Sequence, residues 1–161
     1  MHQLDEFIND MEQSGIPLHS VAVIHKGKVL EERYLGGFTK DSLHRMYSIT
    51  KSFVSVAIGL LEQEGKLCLT DPVLNYFEEY KMPGQSQELR EMTIEDMLKT
   101  QTCYVETTYK KNHKEPWLPS FFTAQPHHKP GMIFMYDTSA AHTMCALAEK
   151  LSGKKLMDYL S

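Results

Sequence analysis

A surplus of basic residues, a long apolar run and paired cysteines are all missing from this sequence of 161 residues. The 17 Lys and Arg are outnumbered by 21 Asp and Glu, giving a formal charge of −4 with no basic block, which argues against a nucleic-acid surface. The longest mostly apolar stretch, Phe53 to Leu61, contains Ser55 and Gly59 and is far too short to cross a bilayer. Cysteine is scarce. Cys68, Cys103 and Cys145 are widely spaced, form no CxxC pair and leave at least one thiol unpaired, which fits a reducing compartment. Met1 to Glu6 shows no basic stretch leading into an apolar core, so no secretory leader is visible and a cytoplasmic location is expected. Hydrophobic residues at 42% and charged residues at 24% are ordinary globular usage, which excludes disordered and fibrous classes.

What is present begins with an apolar stripe, Leu4, Phe7, Ile8 and Met11, at helical spacing; Gly15 and Pro17 close it. Val21 to Ile24 and Val29 to Tyr34 flank Lys26-Gly27 and predict a β-hairpin. From Ser48 to Glu64 runs the strongest helical pattern. Ile49, Phe53, Val56, Ala57, Leu60 and Leu61 recur at helical spacing and Val54 and Ile58 fill neighbouring faces, which predicts a buried helix closed by Gly65. After Asp71-Pro72 short helical patches alternate with polar loops. Thr93 and Asp96 fit a capping box, and a last clear helix spans Ser139 to Leu151 before Gly153. No convincing strand follows Tyr34. Two strands make a marginal sheet, so the inventory reads as the front portion of something longer.

The tetrapeptide that could carry chemistry is Ser48-Ile49-Thr50-Lys51. Residues three apart share a helical face, so the Ser48 hydroxyl and the Lys51 side chain can meet. A serine hydroxyl needs an adjacent base to become a nucleophile, and a helix N-terminus favours developing negative charge. By itself the motif reads first as a capping serine and a solvated lysine, because it is short and its residues are common.

Its surroundings decide more. Arg45-Met46-Tyr47-Ser48-Ile49-Thr50-Lys51-Ser52-Phe53, with Gly65-Lys66-Leu67 and Leu69-Thr70-Asp71-Pro72 following, resembles the serine β-lactamase and penicillin-binding-protein superfamily. The likeness is to the class C-type branch, which also holds esterases, D-aminopeptidases and 6-aminohexanoate-dimer hydrolase-like amidases. Met92 to Leu98 and the turn Thr100-Gln101-Thr102 are similar to the family's helix and "TSG"-like turn. Lys129-Pro130-Gly131-Met132 through Phe134 to Tyr136 resembles its "PG…F.Y" lead, and Glu149 with Gly153-Lys154 its "E…tGK" close.

The resemblance implies an α+β, β-lactamase/transpeptidase-like fold, of which this chain would be the N-terminal part: first helix, β-hairpin, buried nucleophile helix and a mostly helical domain. Residues 1–66 would begin the sheet-and-helix domain and include the nucleophile helix, and 67–161 would form the helical domain. Ser48 is then the acylated nucleophile, Lys51 its base, and Tyr136 the proton relay to the leaving group. A phenol with a pKa near 10 can relay only beside a cation that stabilises its anion, and Lys51 would be that neighbour. The expected substrate is a small-molecule ester or amide. No metal or organic cofactor and no nucleic-acid or membrane partner is implied.

Two departures qualify the implied activity. Thr138 stands where the family's Y-x-N motif has Asn, which disfavours β-lactams and favours esters or simple amides. The K-T-G-like or H-x-G-like third motif has no counterpart before Ser161, and with it would go one of two oxyanion donors, typically costing about 10²–10³ in turnover. The alternative is therefore a catalytically incompetent fragment, or a module whose open sheet edge is covered by a homo-oligomer or a separate C-terminal piece. Candidate substrate contacts are Thr138, Tyr47 beside the nucleophile, and Trp117, an aromatic that either lines a pocket or packs beneath a loop. His127-His128 and His142 lack metal-ligand spacing and read as loop and helix histidines; Lys110, Lys111 and Lys114 read as a solvated cluster. The ten methionines read as core filler.

Overall fold

A computed structural model describes residues 3–109 and 116–161; the lysine cluster at 110, 111 and 114 lies outside them. In chain order come helix α1 (Gln3–Gln13), strands β1 (Ser20–His25) and β2 (Lys28–Tyr34), and the long helix α2 (Thr50–Gln63). The short helices α3 (Gln87–Glu91), α4 (Ile94–Leu98) and α5 (Trp117–Thr123) follow, then the long α6 (Thr138–Ser152) and α7 (Leu156–Leu160). Met1–Arg45 and Met46–Ser161 form two compact units. Among the described residues no helix is long and apolar enough to cross a membrane.

In the first unit α1 buries Leu4 and Ile8, two members of its predicted stripe. β1 and β2 pair antiparallel from Ser20 opposite Tyr34 to His25 opposite Lys28, with an irregularity between Val23 and Ile24. The turn consists of Lys26 and Gly27, both left-handed at φ 48° and 76°. Two left-handed residues give a turn whose twist matches that of the flanking strands, which is why a glycine-containing pair of this length makes a hairpin.

The second unit has a continuous core. α2 packs against α6 and α7, burying Val54, Ala57, Ile58 and Leu61. Removing Val, Ile or Leu side chains from water stabilises by about 1.5–3 kcal/mol each. The opposite face does not follow the expectation of a helix buried all round: Ile49, Phe53, Val56 and Leu60 are exposed. Helical periodicity records which residues are apolar, but tertiary neighbours decide which are covered, and the described neighbours of α2 lie on one side. α5 adds Phe121 and Phe122, and the Tyr104 hydroxyl donates to the Phe121 carbonyl.

Local signals set the helix ends. The Thr93 hydroxyl accepts from the Asp96 amide at 3.1 Å while the Asp96 carboxylate accepts from the Thr93 amide at 2.9 Å, the reciprocal box read from the sequence. Such a cap contributes about 1 kcal/mol. α6 starts one residue earlier than predicted because buried Asp137 caps it, accepting from the Ser139 and Ala140 amides at 2.9 and 3.2 Å. It ends at left-handed Gly153, φ 69°.

Glu149 ties α6 to α7. Its carboxylate accepts from the Leu156 amide and from Lys155 Nζ, both at 3.1 Å, and these two bonds, the amide first, hold its pKa below the ordinary value. A carboxyl whose folded pKa is depressed stabilises above its unfolded pKa, and that stability is lost as pH falls through the folded pKa. Glu149→Gln should therefore lower urea stability at pH 7 and converge with the parent protein in acid below the carboxylate range. A stability gap independent of pH would show that the carboxylate charge plays no part.

Candidate active site

A short 3-10 turn, Tyr47–Ile49, runs directly into α2 and carries Ser48. Tyr47 is left-handed at φ 45°, a conformation that costs a bulky residue about 1–2 kcal/mol and that collects at functional sites. Lys51, one turn further on, donates from Nζ to Ser48 Oγ at 3.2 Å. The same Nζ lies 4.8 Å from the centroid of the Tyr136 ring. Ser48, Lys51 and Tyr136, separated by up to 88 positions in the chain (136 − 48), thus form one cluster.

Tyr136 reaches this cluster through loop pairing. Gly131 N donates to Gln101 O and Met135 N to Thr100 O, each at 2.8 Å, so residues 131–135 are laid along the turn that follows α4. Gly131 is needed twice over. Its φ is +79°, and a Cβ there would stand 3.0 Å from Asp96 Oδ1. Immediately beyond Tyr136, Asp137 anchors the chain to the first turn of α6. The phenol is exposed, and hydrogen bonding to Ser48, then to Lys51, moves its pKa below the ordinary 10.0. These contacts stabilise the phenolate over the phenol.

Lys51 also borders a largely apolar cavity of about 270 Å³. Tyr47, Thr50, Lys51 and Val54 line one side; Thr138, Ala141, His142 and Cys145 line the other, with Trp117 completing the wall. All three residues proposed as substrate contacts, Thr138, Tyr47 and Trp117, are therefore found around the same space. Trp117 stacks on Tyr109 with centroids 4.2 Å apart, and the Tyr109 and Thr108 amides donate to the buried Ser139 hydroxyl. Sequence reasoning missed Ala141, His142, Cys145 and Ser139. A signal existed: positions 47, 50, 51 and 54 and positions 138, 141, 142 and 145 repeat the same i, i+3, i+4, i+7 spacing. The His127 and His128 amides donate to Cys103 O, and Cys103 is buried with its thiol pushed up to about 12 by desolvation.

A family model described as Beta-lactamase matches residues 5–161. The chain belongs to the Beta-lactamase family. Protein flp of Staphylococcus aureus (strain N315) is 26% identical over 176 residues, covering 99% of this chain and 35% of the relative. The 6-aminohexanoate-dimer hydrolase of Paenarthrobacter ureafaciens is 35% identical over 57 residues, 35% of this chain and 14% of that enzyme. Among solved structures, FmtA from Staphylococcus aureus superposes with a TM-score of 0.74 at 17% identity over 96% of this chain and 44% of its own. The octameric penicillin-binding protein homologue from Pyrococcus abyssi gives 0.72 at 22% identity, over 98% and 40%. The α+β, β-lactamase/transpeptidase-like fold expected from the motifs is the fold of these neighbours. The chain spans about a third of the length of the Staphylococcus aureus relative and under half of each of these two structures.

The electrostatics of the cluster have a direct consequence. Ser48→Ala and Lys51→Met should each raise the Tyr136 pKa toward 10, read by NMR of ¹³Cζ-labelled tyrosine with Tyr136→Phe as the assignment control. A Tyr136 titration identical in all three proteins would dissolve the cluster as an electrostatic unit.

Proposed function

We propose that this Beta-lactamase-family chain carries the acylation centre of a serine hydrolase acting on small ester or amide substrates. The observation that supports this most strongly is the Lys51 Nζ to Ser48 Oγ contact of 3.2 Å, made beside a phenol of lowered pKa. In the reading we favour, Lys51 in its amine form accepts the Ser48 proton as Oγ attacks the substrate carbonyl carbon. The resulting oxyanion forms close to the N-terminal end of α2, where the helix dipole favours negative charge. Tyr136, acidified by its neighbours, delivers a proton to the departing alcohol or amine as the carbonyl–heteroatom bond breaks. Water then attacks the Ser48 ester and gives a proton to the Tyr136 phenolate, Lys51 returns its proton to Oγ as the ester bond breaks, and the carboxylic acid leaves. Every step is proton transfer and acyl exchange.

Thr138 begins α6 and lines the cavity with a hydroxyl in place of an amide, which supports ester or simple amide substrates over β-lactams. A second reading is favoured by the exposed apolar face of α2. There, Ser48 is acylated but turns over slowly until another copy of the chain or a separate segment covers Ile49, Phe53 and Val56. The likeness to the octameric Pyrococcus abyssi homologue lends support to the version with a second copy.

A fluorophosphonate probe tests the centre. Stoichiometric labelling is expected, absent in Ser48→Ala and slowed by about 10²-fold or more in Lys51→Ala, the usual range for losing a positioned proton-transfer group. Labelling that survives Ser48→Ala, or no labelling at all, would sink the proposal. Labelling without release of product from p-nitrophenyl acetate selects the second reading.

A further inference from the structure

His19 and His44 stand 25 positions apart, so no local spacing pairs them, yet their Nδ1 atoms face each other at 3.4 Å. One Nδ1 donates and the other accepts, the tautomers deciding which. Both residues belong to the first unit, and neither takes part in the acylation chemistry proposed above. The backbone holds them in place. The Leu35 amide donates to His19 O at 2.9 Å, and the Phe38 amide donates to Leu35 O at 3.0 Å. Thr39 and Ser42 then close a turn: the Ser42 amide donates to Thr39 O at 3.1 Å and the Thr39 amide to Ser42 Oγ at 2.9 Å. That turn returns the chain to His44. The Phe38 ring stacks on His19 with centroids 3.8 Å apart and lies 5.2 Å from the His44 ring. Both imidazoles are thus oriented before any ligand arrives, which lowers the ordering cost of binding one.

Two imidazoles held together suit a borderline divalent metal, and their separation discriminates among such metals. Nitrogens bound to one tetrahedral zinc at about 2.0–2.1 Å stand about 3.3 Å apart. A right-angled, square-planar arrangement would bring them to about 2.9 Å. The 3.4 Å between the two Nδ1 atoms matches the tetrahedral case. We infer that His19 and His44 form a zinc site, each ligating through Nδ1. Both rings are exposed, and among the described residues no third His, Cys, Asp or Glu completes the set, so water fills the remaining positions. Zinc replaces the hydrogen between the rings: the donor ring moves its proton from Nδ1 to Nε2, and both Nδ1 lone pairs turn to the metal. The site is independent of the hydrolase reading.

Titrating the full chain, ¹⁵N-labelled at histidine, with zinc chloride tests the site through long-range ¹H–¹⁵N spectra. The first equivalent should move the His19 and His44 Nδ1 resonances together and leave both rings as the Nε2–H tautomer, while His127 and His128 keep their positions. His19→Asn should weaken zinc binding read at His44 by about 10²-fold, the gain usual when a second ligand is held beside the first, and His44→Asn should do the same at His19. The tautomer readout comes from the unsubstituted chain, so it does not depend on either variant folding. Zinc that binds through Nε2, that fills His127 and His128 first, or that binds equally well without one of the two rings overturns the site. Spectra unchanged by excess zinc overturn it as well.

Discussion

A single lysine side chain in the first turn of α2 ties together the cluster of the second unit. Lys51 Nζ touches the Ser48 hydroxyl and faces the Tyr136 ring, and the Lys51 side chain borders the apolar cavity. Each contact makes a different demand on the position. Ser48 must lie three residues back on the same helical face. Tyr136 must arrive from a loop far along the chain, and the cavity must open between α2 and α6.

The remainder of the unit fixes those positions. Val54, Ala57, Ile58 and Leu61 lock the rotation of α2 through burial, so Ser48 and Lys51 are held at the site. The capping box of α4 sets the turn on which residues 131–135 lie, and Gly131 allows the backbone to pass Asp96. Asp137 then fixes the first turn of α6 immediately after Tyr136. Stability and placement are joined here: the groups that cap α4 and α6 also position the segment that carries Tyr136.

What could be read from the sequence was whatever depends on neighbours within about four residues. Lys26-Gly27, Thr93 with Asp96, Gly153 and the Ser48–Lys51 spacing are of this kind, and each has the local geometry expected of it. The meeting of Tyr136 with Lys51 was expected only through the family resemblance, because no local rule joins residues so far apart. The exposed face of α2 escaped prediction because hydrophobic periodicity cannot tell which apolar stripe finds a neighbour. The cavity was half legible. Tyr47, Trp117 and Thr138 were singled out one by one, whereas Ala141, His142 and Cys145 become visible only when two helical stripes are set face to face.

The central claim is that Ser48, Lys51 and Tyr136 share protons as one unit. Its most direct test is to measure the pH dependence of Ser48 phosphonylation alongside the ionisation of Tyr136 in the same protein. The account predicts a common apparent pKa below that of a free phenol, with Lys51→Met moving both upward together. A phosphonylation profile that keeps its pKa while the Tyr136 titration moves would contradict it.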